Sequence, residues 1–480
     1  MTRPDGVTGP GRAGRPEGAG RLREVYQQIL DRTPEHDLVP SLDRIAAVCE
    51  LLGDPQKAFR VVHLTGTNGK TSTTRMVERL LREHGLRTGR FTSPHLADVR
   101  ERIALDGVPL SVERFVEVYD EVLPYLDLVD ARLDEQDLPR LTYFEVLVAM
   151  AYAAFADAPV DVAVIEVGMG GSWDATNVAS GEVAVLTPIA VDHERFLGRD
   201  PATIALEKAG IIKAGAVAVL AEQLPEVTEV LMQRAGQVGA RAVREGMQFG
   251  VANRDLAVGG QLLTLQGLGR SYPDVFLPLF GPYQAHNAAC ALAAVEAFLG
   301  GGGASTAHGA SGGQDADGGT DWSGLDPDVV RAAFAQVDSP GRLEVVRRSP
   351  TILVDAAHNP AGARALADAI GDGFSFTRLV GVVAVLSDKD TYGILEALEP
   401  VLDEVVVTRS SSPRSTLPED LAEVAADLFG EHRVTIAQRL DEAIDVAVGL
   451  AESGGEPSTG ILATGSITLV ADVRALLGVR

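Results

Sequence analysis

The sequence predicts an α/β protein: a P-loop-type parallel-sheet domain, then a smaller Rossmann-like α/β domain, with the active site in the cleft between them. Three observations predict it. At 480 residues the chain exceeds what one ordinary hydrophobic core organises. Short Val-rich runs alternate with amphipathic helical segments, the pattern of a parallel sheet covered on both faces. A Pro-Gly turn at Pro340-Gly341 separates two such alternations.

Along the chain, residues 1–20 are Gly/Pro/Arg-rich and read as a disordered arm. Residues 22–52 carry apolar side chains at helical spacing, with Ser41 as N-cap and Gly53 as stop. "RVVHLTG", "DVAVIEVG" and "EVAVLTPI" read as strands that end in Gly, Pro or polar residues. The Gly-rich stretch 300–324 has almost nothing to bury and reads as an insertion between two helices. The first domain therefore spans 21–337, a hinge spans 338–342, and the second domain spans 343–480. In that second domain "TILVDAA", "RLVGVVAVL", "EVVVT" and "GILATG" are strands separated by helices.

Composition narrows the class. Hydrophobic residues make up 46% and charged ones 23%, as in a soluble globular protein. No apolar run suits a membrane span or a secretory signal, so a cytoplasmic protein is expected. The two cysteines, Cys49 and Cys290, lie in apolar helical patterns and support neither a disulfide framework nor a cysteine metal site. A net charge of −25 without a strong basic patch argues against nucleic acid and anionic membrane as partners.

Four places carry chemistry. In "VVHLTGTNGKTSTT" a strand leads into Gly66-Thr67-Asn68-Gly69-Lys70-Thr71 and then a helix, which gathers backbone N–H groups and a helix N-terminus around an anion. Lys70 would reach the β/γ phosphates, and Thr71 or Ser72 a Mg²⁺ ion. Leu64 stands where the strict P-loop has its first Gly, and a plain connecting turn is the alternative; the flanking strand and helix favour phosphate. Glu166 ends the next apolar strand where a metal-holding acid is wanted, although a turn acid at the sheet edge is the blander reading. His193 follows the third strand, where a hydrogen-bonded structural histidine is the usual case. Lys208 sits in an apolar helical segment; desolvation would leave its amine able to take up CO₂, while a solvated helix lysine is the ordinary alternative.

"GTNGKTST", "FTSPHL" with "ERI", "TYFE", "EVGMGGSWDATN", "DHERFLG", "EKAGIIK", "HNAACALAA", "SPGRLE", "DAAHNP", "LSDKD" and "ATGSITLVADV" follow in this order over nearly the whole chain. The ordered set resembles the folylpolyglutamate synthase/dihydrofolate synthase family of the Mur ligase superfamily. The resemblance implies an ATP-dependent amide ligase that joins L-glutamate to a folate, and also to 7,8-dihydropteroate, through an acyl phosphate. It implies that residues 66–71, Asn287, Arg342 and Asp355 bind ATP, and that Lys70, His193 and Lys208 are catalytic. Ser93 and Glu166 would hold one Mg²⁺, His193 a second, and Lys208 would be carbamylated. Ser41, Leu42, Thr142, Tyr143, Phe144, Glu145, Trp173, Asp174 and Ala175 would contact the pterin, and His358 and Ser466 the incoming glutamate. His95 of "TSPHL" points to the type that also accepts dihydropteroate. A monomer is expected, since no unassigned apolar helix face stands out.

Three departures stand beside the resemblance. Relatives commonly carry G-G-R-L-D-A-T-N, whereas Ser172-Trp173 here puts one cationic substrate contact in doubt. Thr71 replaces a frequent Gly, as in the peptidoglycan-building ligases, and the 300–324 insertion is outside the family core. A peptidoglycan-precursor ligase is the nearer alternative, weakened because only about sixty residues precede the loop. A nucleotide switch is the other, but "LSDKD" lacks the Asn-Lys pair of a guanine reader.

Overall fold

The computed structural model describes residues 17–33, 39–300, 322–453 and 458–479. Residues 1–16 of the expected arm and 301–321 of the expected insertion lie outside the described residues. The first helix, Glu17–Leu30, already includes the end of that arm, and the insertion is flanked by the helices Pro282–Gly300 and Pro327–Phe334.

The larger sheet contains β1 (Arg60–Thr65), β2 (Thr88–Phe91), β3 (Ile103–Leu105), β4 (Val108–Pro109), β5 (Val162–Glu166), β6 (Val183–Leu186), β7 (Val217–Leu220) and β8 (Arg241–Arg244). Their spatial order is β4-β3-β2-β5-β1-β6-β7-β8. From β2 to β8 all pairs are parallel, as expected from the Val-rich runs. The β2/β3 and β3/β4 pairs are antiparallel, which corrects the all-parallel expectation. For β3/β4 the cause is local: Asp106 and Gly107 both have positive φ (48° and 79°), the backbone of a tight hairpin turn.

A second correction is the small antiparallel sheet β9 (Gly250–Ala257), β10 (Gly260–Gln266) and β11 (Ser271–Leu277). Its inward residues Leu263, Leu265, Tyr272, Val275 and Leu277 join the core around the Ala-rich helix Pro282–Gly300. That helix is buried almost all round, and its small side chains let it lie close against the helix Lys70–Glu83 that follows the phosphate loop.

The third sheet holds β12 (Glu344–Arg348), β13 (Thr351–Val354), β14 (Arg378–Val383), β15 (Glu404–Val407), β16 (Val434–Ile436) and β17 (Thr459–Thr464), in the order β12-β13-β17-β14-β15-β16. Only β12 runs antiparallel. Cores form on both faces of this sheet. The Ser41 cap is shifted: the helix Asp43–Leu51 has Leu42 at its N-cap, and the Ser41 hydroxyl accepts the Asp43 N–H at 3.0 Å from one residue further out. Gly53, with φ of 80°, ends the segment as expected. Cys49 and Cys290 are buried and unpaired. Among the described residues no helix is long and apolar enough to cross a membrane.

Tyr272 fastens the antiparallel sheet to the rest: its hydroxyl donates to Glu296 Oε1 at 2.7 Å and accepts the Leu325 N–H at 2.6 Å. Tyr272→Phe leaves both buried partners short of a bond, so stability falls by about 1–3 kcal/mol. A thermal unfolding midpoint equal to that of the unaltered chain contradicts this.

Candidate active site

The parallel arrangement brings the carboxyl ends of β1, β5 and β6 side by side, and the three residues singled out at their ends meet there. The chain leaves β1 through Gly66 (φ 149°) and Gly69 (φ 87°) before the helix Lys70–Glu83 begins. A side chain at Gly66 would collide with the Thr187 hydroxyl, and one at Gly69 with the Asn287 amide, so the loop depends on glycine at both places. Thr67 pins the loop to the chain after β6: its N–H donates to Pro188 O at 2.9 Å and its hydroxyl to Ala190 O at 2.8 Å. Two ammonium groups converge on one carbonyl: Lys70 Nζ lies 3.0 Å and Lys208 Nζ 2.8 Å from Gly66 O. Burial, then the neighbouring Lys70 charge, pulls the Lys208 amine down to about 7. Burial also lowers Lys70.

Glu166 is buried beside them. Its Oε1 accepts the Thr71 hydroxyl at 2.9 Å, and its Oε2 the Ser93 N–H at 3.4 Å. Burial pushes its carboxyl up to about 7, against the opposing pull of Lys70. The hydroxyl of Ser72, the other one considered for a cation, is engaged instead with Ser339 Oγ at 2.8 Å. No group of three or more His, Cys, Asp or Glu among the described residues could hold a metal. Glu166, Thr71 and Ser93 nevertheless form the sparse, all-oxygen donor set that suits Mg²⁺, a cation that keeps several waters and completes its shell with phosphate oxygens.

Asp192 and His193 follow β6, and His193 is held in the left-handed region at φ 52°. Burial lowers the His193 imidazole to about 3, so it stays neutral with a lone pair to offer. Asp192 was not singled out in the sequence, yet three groups from the second domain converge on it. Lys389 Nζ lies 2.5 Å from Oδ1, while His358 Nε2 and Asn359 Nδ2 each lie 3.2 Å from Oδ2. Burial works to raise the Asp192 carboxyl; His358, His193 and Lys389 outweigh it and hold it well below the usual range. Asn68 and Asn359 exchange amide bonds at 3.1 and 3.2 Å across the same boundary.

Asp355 spends both oxygens on its own backbone, accepting the Leu343 N–H at 2.7 Å and the Ala357 N–H at 2.8 Å. Leu343 has φ of 44° and Gly341 φ of 72°, so Asp355 fixes the strained connection between domains from which Arg342 projects into the cleft. Ser466 caps the helix Ile467–Leu476 through the Leu469 N–H at 3.2 Å.

Two cavities meet at this centre. One, of about 610 Å³, is lined by residues 66–72, Glu166, Lys208, Asn287 and Asp355. The other, of about 390 Å³, is lined by Ser41, Thr142, Phe144, Glu145, Trp173, Asp174, Ala175 and Ser466. Ser93, Gly168, Met169, His193, Arg342 and His358 line both, so the two are one continuous cleft. Leu42 and Tyr143 line neither: Leu42 packs in the helical core, and Tyr143 lies under the Arg102 guanidinium at 5.1 Å. Thr142 and Glu145 cap the helix Tyr143–Asp157 reciprocally, and Glu145 also holds Arg44 Nε at 2.9 Å. Arg102, Arg414 and Lys389 supply the smaller cavity with the cationic side chains that Trp173 does not. The signal for Lys389 lay in "LSDKD" and that for Arg102 in "ERI"; nothing in the sequence singled out Arg414.

The chain is similar to known proteins over nearly its whole length. A Mur ligase, glutamate ligase domain model matches residues 341–467. The chain is 48% identical to a dihydrofolate synthase/folylpolyglutamate synthase of Mycobacterium tuberculosis, over 99% of this chain and 98% of that protein. The structure resembles a Mycobacterium tuberculosis folylpolyglutamate synthase solved with ADP and AMPPCP, with a TM-score of 0.88, 49% identity, and coverage of 96% and 99% of the two chains. It also resembles Escherichia coli FolC in complex with DHPP and ADP, with a TM-score of 0.78, 28% identity, and coverage of 97% and 99%.

Glu166 generates a prediction for the protein freed of nucleotide and metal. Its folded pKa of about 7 lies above the reference 4.5, so the native state binds more protons than the unfolded state across that window. Its contribution is present below about pH 4.5 and lost as pH rises through about 7, a fall of roughly 3 kcal/mol. Glu166→Gln removes that part of the pH dependence. Parallel profiles of unfolding midpoint against pH in EDTA for the two proteins contradict the assignment.

Proposed function

The chain belongs to the folylpolyglutamate synthase/dihydrofolate synthase family of the Mur ligase superfamily, and from that membership and the cleft we propose how its residues divide the work. It is an ATP-dependent carbon–nitrogen ligase that adds L-glutamate to folates; the peptidoglycan-precursor alternative is not favoured. The observation that carries the assignment of roles is the junction of the two cavities, which puts a phosphate loop and an acceptor cavity on the same few side chains.

A carboxylate is a poor electrophile, so its oxygen must become a leaving group before an amine can displace it. Transfer of the ATP γ-phosphoryl to the acceptor's carboxylate does this, giving an acyl phosphate that glutamate's amine attacks with loss of phosphate. Residues 66–71 hold the phosphates, and Lys70 meets the charge that develops on the transferring group. Asn287, Arg342 and Asp355 close over the nucleotide, Asp355 acting through the backbone that it holds. Ser93 and Glu166 would hold one Mg²⁺, and His193 would serve a second. Bound there, Mg²⁺ neutralises phosphate charge and aligns the oxygens that exchange. Lys208, whose amine burial lowers to about 7, would add CO₂ through its uncharged nitrogen with release of a proton, and the carbamate would supply anionic oxygens for the metal.

Ser41, Thr142, Phe144, Glu145, Trp173, Asp174 and Ala175 form the pterin wall, with Leu42 and Tyr143 as packing behind it. His358 and Ser466 take the glutamate. With His95 lining the acceptor cavity, the enzyme accepts dihydropteroate as well as folates. Domain limits of 21–337 and 343–480, hinged at 338–342, let the second domain shut water away from the acyl phosphate. A monomer working in the cytoplasm completes the proposal.

Phosphate release from ATP should require glutamate together with dihydropteroate or tetrahydrofolate, and release independent of acceptor would remove the ligase assignment. Lys70→Ala is expected to lose ADP formation with every pterin acceptor; near-normal turnover refutes its phosphate role. Lys208→Ala is expected to lose activity that high formate or acetate partly restores, and unchanged activity refutes the carbamate.

A further inference from the structure

His63 on β1 is fully buried and takes no part in the chemistry above. Its Nε2 lies 2.9 Å from Thr176 Oγ1, and Thr176 Oγ1 lies 2.5 Å from Asp174 Oδ1. Asp174 Oδ1 also accepts the Thr176 N–H at 3.0 Å, and Oδ2 the Met169 N–H at 2.9 Å. Among the described residues His63 Nδ1 has no hydrogen-bond partner. Proton counting fixes the direction of this chain. Burial raises the Asp174 carboxyl to about 6, so above that pH it is ionised and only accepts; the single hydroxyl hydrogen of Thr176 then goes to Asp174, and Thr176 accepts from an Nε2–H on His63. Burial lowers the His63 imidazole to about 3, in keeping with one neutral tautomer. Two residues along the same strand, on the same face, the Thr65 hydroxyl donates to Gly170 O at 2.8 Å. The strand that presents the phosphate loop thus also braces residues 168–176, where Gly168, Met169, Trp173, Asp174 and Ala175 line the acceptor cavity.

We propose that His63 is a positioning residue for the acceptor: through Thr176 it orients the Asp174 carboxylate and the cavity wall that Asp174 ties together. This rests on the pterin-wall reading of Asp174. An apolar residue would fill the same core volume but leave the Thr176 oxygen without its donor; the hydroxyl rotamer would then rest on Asp174 alone, and the wall that Asp174 ties together would be less defined.

The test is steady-state kinetics on the full chain with dihydropteroate, ATP and glutamate varied in turn. His63→Leu removes the donor and is expected to raise KM for dihydropteroate about tenfold, with KM for ATP within about twofold. His63→Gln, whose amide N–H₂ reaches the same position, recovers most of that loss. Thr176→Val breaks the middle link and has the same effect, and the double variant His63→Leu/Thr176→Val is no worse than Thr176→Val alone. The inference is overturned if His63→Leu lowers thermal stability but leaves the KM for dihydropteroate unchanged, if both KM values rise together, or if the two losses add. Should His63→Leu fail to fold, Thr176→Val against Thr176→Ser decides by the same KM split. Asp174→Asn separates the premises: if it leaves the KM for dihydropteroate unchanged, the pterin-wall reading falls and takes the inference with it. If it raises that KM and His63→Leu does not, only the role of His63 falls.

Discussion

Two lysine ammonium groups share one backbone carbonyl at the tip of β1, and most of the site follows from that placement. Burial lowers both amines and the Lys70 charge lowers Lys208 further, so the loop tip favours an anion beside Lys70 and leaves Lys208 able to take up CO₂. The loop can host one because glycines at 66 and 69 bring the backbone into conformations that other residues resist, with Thr187 and Asn287 packed where side chains would otherwise stand. Glu166 sits within the same field. Burial makes its charge costly when the site is empty, and a cation with phosphate oxygens is the natural means of stabilising it.

The second domain bears on the same point. Asp192 gathers Lys389, His358 and Asn359 from across the cleft, while Asn68 of the phosphate loop pairs with Asn359. Loop and second domain are therefore mechanically joined: whatever anion settles in the loop acts on groups that also reach the far wall. Asp355 holds the positive-φ connection at Leu343, so the position of Arg342 is set by backbone hydrogen bonds. For a reaction through an acyl phosphate this arrangement has a clear use, since water must be absent before the amine arrives.

Much of this was legible in the sequence because the informative residues lie at strand ends. Gly66 and Glu166 close two Val-rich runs and His193 follows a third by a few residues, and a parallel sheet brings such ends together regardless of what lies between them. The antiparallel elements were not legible in the same way. β9 has no buried position and β10 and β11 alternate only irregularly, and the β3–β4 hairpin rests on two strands too short to show a period, although Asp106-Gly107 is a recognisable turn signal. Leu42 and Tyr143 lay in the right segments but face the core, because a segment's proximity to a cavity does not say which side of its helix turns inward. Asp192 was hidden for another reason: its partners lie more than a hundred residues away, and only the docking of two domains reveals the cluster.

The central claim is that Lys70, beside Lys208 and Glu166, stands where a nucleotide's terminal phosphates and their metal belong. A structure of the protein with a non-hydrolysable ATP analogue and Mg²⁺ tests it most directly. The account predicts β- and γ-phosphate oxygens within hydrogen-bonding distance of Lys70 Nζ, about 3 Å, with the cation bound by Glu166 and the hydroxyl of Thr71 or Ser93. A triphosphate seated elsewhere in the cleft, with Lys70 still bonded only to Gly66 and Thr67, would contradict it.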